Sequence, residues 1–196
     1  MGSPGAGSRV GILFGFVPLI VYGILAGSSI QSKILALSAS TLVTVVVGFG
    51  DLKKGRILSW ISLVLFGGLL IATVGFSLTG ILIWSGVLIY AVLAAVALGS
   101  ILAGVPFTLQ YAREMVDPSR HEHPVFLKVN ILMTGVWSGI FGVNALLDCL
   151  ALVFPGPTGQ AASLITYGTL AAGIVFTFWY PAHIQKKYAR TSPGSQ

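Results

Sequence analysis

Six long apolar runs, separated by short polar connections, set the pattern of this chain. They cover residues 10–27, 34–50, 57–76, 80–103, 126–153 and 162–181. A hydrocarbon core about 30 Å thick is crossed by about 20 apolar residues in a helix, so each run predicts a transmembrane helix. Helices satisfy their own backbone hydrogen bonds inside lipid, which an open strand cannot do. The connections carry the punctuation: Asp51-Leu52-Lys53-Lys54-Gly55-Arg56 is a basic turn and Ser77-Leu78-Thr79-Gly80 a tight hairpin. Phe154-Pro155-Gly156-Pro157 is a stop, because proline cannot continue helix hydrogen bonding. Small residues fall at multiples of four, Gly11, Gly15, Gly23 and Gly27 in the first run and Ala91, Ala95, Gly99 and Ala103 in the fourth. Such spacing lets neighbouring helices approach closely in lipid. The expected fold is an all-α integral membrane bundle of six transmembrane helices. Residues 1–9 are expected to be disordered, and 184–196, with Lys186, Lys187 and Arg190, to form a basic cytoplasmic tail.

Between the fourth and fifth runs the pattern changes. Residues 104–130 hold three of the five acidic residues and two of the three histidines. Phe107, Tyr111 and Met115 repeat every four residues, while Gln110, Arg113, Glu114 and Asp117 occupy the opposing arc. That predicts an amphipathic helix over 106–117, lying in the membrane interface with its apolar face toward lipid, or else continuing the fourth helix into the cytosol. Arg113 and Glu114 read as mutually compensating surface charges. His121 and His123 alternate around Glu122 as in an extended loop, where i and i+2 point the same way. A structural zinc site needs three or four ligands and a supporting shell, so a solvated loop with no metal is the expectation. Glu114, Asp117 and the histidines could alternatively serve acid–base chemistry on a lipid or isoprenoid.

Composition confirms the membrane reading. The chain is 55% hydrophobic and 8% charged, with a mean hydropathy of +0.93, against about 25% charged in soluble domains. The net charge of +6 would point to nucleic acid in a soluble protein. Here the charges sit in connections between spans, so anionic lipid explains them and no nucleic-acid partner is expected. Cys149 is the only cysteine, which excludes an intrachain disulfide and a cysteine-only metal site. Assigning connections alternately to two sides places ten of the eleven basic residues on one side and Lys33 alone on the other. The positive-inside rule then puts both termini in the cytoplasm of a cell that carries the protein in its inner or plasma membrane.

Polar groups within the spans are few. Asn130 and Asn144 are fourteen residues apart, which at 100° per residue leaves them within about 40° of one face. Together with Lys128 they are the candidates for a polar intramembrane site, with interhelical packing as the alternative. Asp148 lies twenty residues beyond Lys128, about 30 Å along a helix, and is expected near the outer surface. Since no histidine stands mid-span, no haem-like cofactor is expected.

Pro124-Val125-Phe126-Leu127-Lys128-Val129-Asn130, followed by Asn144, resembles the start of the penultimate helix in the bacterial intracellular septation protein A family. Phe16-Val17-Pro18-Leu19 is similar to that family's opening, and Pro106 to its basic-proline segment, although Val105 stands where a basic residue is usual. Trp137 falls one turn later than the family's tryptophan. The resemblance implies a small inner-membrane protein tied to septation and envelope integrity through contacts with other membrane proteins or lipids. The expectation is thus an envelope accessory protein with a cytoplasmic docking face, binding anionic lipids and other membrane proteins or copies of itself. The alternatives are a small transporter or channel and, third, a membrane enzyme.

Overall fold

The computed structural model describes the backbone of residues 11–191 and the side chains of 14–184. Residues 1–9, expected to be disordered, lie outside that range. Among the described residues every regular element is helical. Helix α1 covers Gly11–Leu25, α2 Ile30–Val46, α3 Phe49–Lys53, and α4 Ile57–Leu70, prolonged by a π-helical turn at Ile71–Gly75. A 3-10 turn at Thr79–Trp84 leads into α5, Ser85–Leu102. The short α6, Phe107–Ala112, is followed by 3-10 turns at Arg113–Met115 and Pro118–Arg120. Two long helices finish the chain, α7 at Pro124–Val153 and α8 at Pro157–Thr191. Four segments are long and apolar enough to cross a membrane: Ile57–Gly75, Thr79–Leu102, Pro124–Val153 and Pro157–Ile184. Phe14–Leu25 and Ile30–Val46 are shorter apolar helices.

The local chemistry explains the breaks. Ser29 caps α2 by accepting from the Ser32 backbone N–H at 3.0 Å, which satisfies one of the donors a helix start leaves free. Gly104 (φ +73°) separates α5 from α6, and Gly156 (φ +94°) turns α7 into α8. Both adopt the left-handed conformation that glycine enters without steric cost.

The helices form two groups of three. Helix α1 packs on α2 and α2 on α4, while α7 packs extensively on both α5 and α8. Aromatic rings join the groups. Phe16 of α1 stacks on Trp137 of α7 with centroids 4.2 Å apart, and meets Phe107 of α6 edge-on at 6.4 Å. Hydrogen bonds cross the same seam: Tyr22 to Ser85 at 2.7 Å, and the Tyr167 hydroxyl donating to the Gly23 carbonyl at 2.7 Å. In lipid such packing and hydrogen bonds, rather than hydrophobic expulsion, drive helix association.

The segment expected as an interfacial helix over 106–117 is arranged differently. Its regular part is six residues long. Phe107, Thr108, Leu109 and Tyr111 are all at most 2% exposed, so its apolar face is covered by protein. The Gly104 turn, held by the Phe107 N–H donating to Ser100 Oγ at 3.1 Å, folds the segment back beneath the bundle, where Phe16 receives Phe107. It does not continue α5. At the other end, α8 runs on to Thr191, so the backbone over most of the expected tail is helical.

The glycines test this packing. A Cβ on Gly15 would stand 2.8 Å from both Leu58 Cδ2 and Tyr111 Oη. Gly15→Val is therefore expected to destabilise the protein by about 1–3 kcal/mol, read as a lower midpoint of thermal unfolding in detergent. Gly139 has nothing within 4 Å of such an atom, and Gly139→Ala should leave the midpoint unchanged or raise it.

Candidate functional site

The most concentrated chemistry among the described residues surrounds Arg56, at the start of α4. A long apolar helix begins immediately after it, so the arginine is carried inward and is only 5% exposed. Burying a guanidinium without partners is strongly unfavourable, and three segments supply them. From the preceding turn, Asp51 Oδ1 accepts from Nη1 at 2.6 Å. From beyond α6, Glu114 Oε2 meets Nη2 at 2.5 Å. From α6 itself, Tyr111 places its ring 4.3 Å below the guanidinium carbon. Lys54 Nζ also donates to Glu114, at 2.9 Å.

Uncharged bonds extend the same brace. The Ile57 N–H, left free at the start of α4, donates to Gln110 Oε1 of α6 at 2.9 Å. Trp60 Nε1 donates to the Leu52 carbonyl at 3.1 Å. The basic turn and the 107–114 segment are thereby fastened into one face.

The electrostatics follow the geometry. Burial opposes the Arg56 charge, but Glu114 and Asp51 outweigh it and hold the guanidinium above its ordinary value. The hydrogen bond from Arg56, helped by Lys54, holds the Glu114 carboxyl below its ordinary value. Burial pushes the Tyr111 phenol up to about 12, so it stays neutral. Glu114 consequently pairs with Arg56 and Lys54. The expected Arg113–Glu114 compensation gives way to these longer-range pairs, because only α4 brings a buried cation that requires one.

The other residues of the polar stretch serve its backbone. His121 Nε2 lies 2.9 Å from the Arg113 carbonyl and 3.0 Å from that of Val116. Carbonyls only accept, so this nitrogen carries the hydrogen. The His121 ring also stacks on Phe126 at 5.9 Å. His123 caps α7, its Nδ1 accepting from the Val125 N–H at 3.2 Å. Asp117 accepts from the Ser119 N–H at 2.9 Å and hydroxyl at 2.7 Å, and these bonds hold its carboxyl below the ordinary value. Arg113 is exposed. Among the described residues no three of His, Cys, Asp and Glu come together as a metal site.

The intramembrane candidates separate. Asn130 is 2% exposed, and its Nδ2 donates to the Phe126 carbonyl at 2.9 Å. Its backbone carbonyl accepts from Thr108 Oγ1 at 3.0 Å, joining α6 to α7, while its Oδ1 is buried without a hydrogen-bond partner among the described residues. Asn144 is fully buried, and its Oδ1 accepts from Thr169 of α8 at 2.7 Å. Both face the bundle, as their spacing predicts. Between them, however, stand Trp137 and Phe141, each 1% exposed and packed on Phe16 at 4.2 and 6.3 Å. Lys128 is exposed and edges a cleft of about 200 Å³ with Tyr180, apart from both asparagines. Asp148, expected at the outer surface, is half-buried and lies where Gly86 of α5 leaves room for it.

Sequence reasoning passed over Arg56, Asp51, Lys54, Gln110 and Tyr111 as a group. One signal was present: an arginine directly abutting a long apolar run, with Asp51 in the same connection and Glu114 in the next connection on that side of the bundle.

Removing Arg56 strands its acidic partners, so Arg56→Ala should cost about 3 kcal/mol. Arg56→Lys should recover only part of that, since an ammonium cannot reach two carboxylates and stack on a ring together. Both are read from unfolding midpoints in detergent. Because the folded-state value of Glu114 is depressed, its contribution is complete above the ordinary value of 4.5 and is lost as pH falls through the lowered one. Glu114→Gln should flatten that part of an acid-stability profile. A double-mutant cycle of Asn144→Leu with Thr169→Val should give a coupling of about 0.5–1.5 kcal/mol; additive effects would show that the bond contributes nothing.

Comparison with protein-family models, with curated proteins and with solved structures finds no match, so the functional reading rests on the chain's own geometry.

Proposed function

We propose that this chain is a six-span accessory protein of the cell envelope, both termini cytoplasmic, which docks partner membrane proteins on the face braced by Arg56. The observation that supports the reading most is the bracing itself. Two charged connections are locked together by a buried cation, while Arg113, Arg120, Glu122 and His123 remain exposed beside them. A polar surface ordered before binding loses less conformational freedom when a partner arrives. The aromatic block at Phe16, Trp137 and Phe141 fits the same reading, because buried rings stand between the two asparagines along α7.

The six-span topology is part of the proposal. Helix α2 rises about 26 Å over its seventeen residues, near the lower limit for a span, and α1 packs along it. Lys53, Lys54, Arg56, Arg113, Arg120 and Lys128 belong to the connections at one end, and the positive-inside rule makes that end cytoplasmic. The motif around Pro124 to Asn130 supports a role in septation or envelope integrity by resemblance.

The test is affinity purification in mild detergent at native expression level. A specific membrane partner is expected with the unaltered protein, and loss of that partner with Arg113→Glu combined with Arg120→Glu, both exposed positions outside the brace. Repeated recovery of the protein alone would overturn the reading. For topology, Lys33→Cys in a Cys149→Ser background should react with an impermeant thiol reagent from outside intact cells; reaction only after lysis would refute the orientation.

A further inference from the structure

We propose that the end of the bundle opposite Arg56 holds a binding site for the phosphate of a phospholipid headgroup, centred on Lys33. A cleft of about 220 Å³ opens there, lined by the polar Ser28, Lys33 and Thr79 and the apolar Ile30, Leu82 and Ile83. Lys33 is held in place, because its Nζ donates to the Leu82 carbonyl at 2.8 Å. An ammonium has three N–H donors, so two remain for an anion, and the side chain is ordered before the anion arrives. Ser28 and Thr79 line the same cleft and supply hydroxyl donors beside the ammonium. Asp148 of α7 is the charged group whose field reaches Lys33. It forms no direct ion pair with it and leaves the ammonium open to the cleft.

Size and surroundings select a lipid over a free solute. Pockets for small-molecule ligands span about 300–1,000 Å³, so this one admits a headgroup and little more. Its apolar wall opens onto the outer flank of the bundle, where Ile30 is 50%, Ile83 56% and Trp84 50% exposed. Tryptophan at such a position marks headgroup depth, and the aliphatic residues beside it offer a surface for acyl chains. The site stands independently of the docking face, which lies at the other end of the molecule.

Native mass spectrometry of the full chain, transferred from detergent containing a single lipid, tests the proposal. One phosphatidylglycerol or phosphatidylethanolamine should be retained per chain, and diacylglycerol, which lacks the phosphate, should not. Lys33→Ala should weaken retention about tenfold. Ile83→Trp, which fills the cleft but leaves Lys33 and its bond to Leu82, should weaken it similarly and decides the matter should Lys33→Ala fail to fold. Lys128→Ala, at the opposite end, should retain the lipid. The proposal is overturned if the unaltered protein keeps no phospholipid, if diacylglycerol is kept equally well, or if either cleft variant folds and binds as before.

Discussion

A guanidinium buried at the edge of a membrane bundle must be neutralised locally, and Arg56 imposes that requirement on the segments around it. Its two carboxylate partners come from opposite sides in sequence, Asp51 before α4 and Glu114 after α6, so satisfying the charge determines where the 107–114 segment lies. Tyr111 under the guanidinium then approaches α1 so closely that Gly15 can carry no side chain without displacing it. One buried charge thus places a turn, a short helix and the first helix relative to one another. Desolvation makes the pairing strong and also makes any single loss costly.

Further into the bundle the chemistry changes. The two three-helix groups meet through Phe16, Trp137 and Phe141, and several polar side chains bond helix to helix or to their own backbone. Trp137 donates to Thr177 at 3.0 Å and Thr169 to Asn144 at 2.7 Å. The centre is filled by rings, and the exposed charged groups lie at the two ends, while Asn130 Oδ1 and Asn144 Nδ2 stay buried without a hydrogen-bond partner among the described residues. One end is basic and braced; the other presents Lys33 in a small cleft.

Much of this was legible in the amino-acid sequence. Each apolar run falls largely within helix, although Ile30–Val46 begins and ends four residues before the expected 34–50 and Pro157–Thr191 overruns 162–181 at both ends. The Phe154–Pro157 stop separates α7 from α8. The shared orientation of Asn130 and Asn144 followed from helical period alone. The amphipathic repeat in 106–117 was also real, but periodicity reports only that a helix has an apolar face. It cannot say whether lipid or protein covers that face, and here Phe107 and Tyr111 are covered by protein.

By itself, then, the sequence determined the helical class and the presence of helices long and apolar enough to cross a membrane, because these depend on local hydrophobicity and residue counts. Tertiary structure alone decided that Glu114 serves Arg56 instead of Arg113, that His121 and His123 bond backbone groups, and that aromatic rings separate the two asparagines. The ion pair and the ring stack on Phe16 join residues from different helices, while the histidine bonds are local, to groups two to eight residues away. The partner of a buried charge or amide is chosen by which groups the packed helices bring within hydrogen-bond distance, and linear spacing carries no record of that.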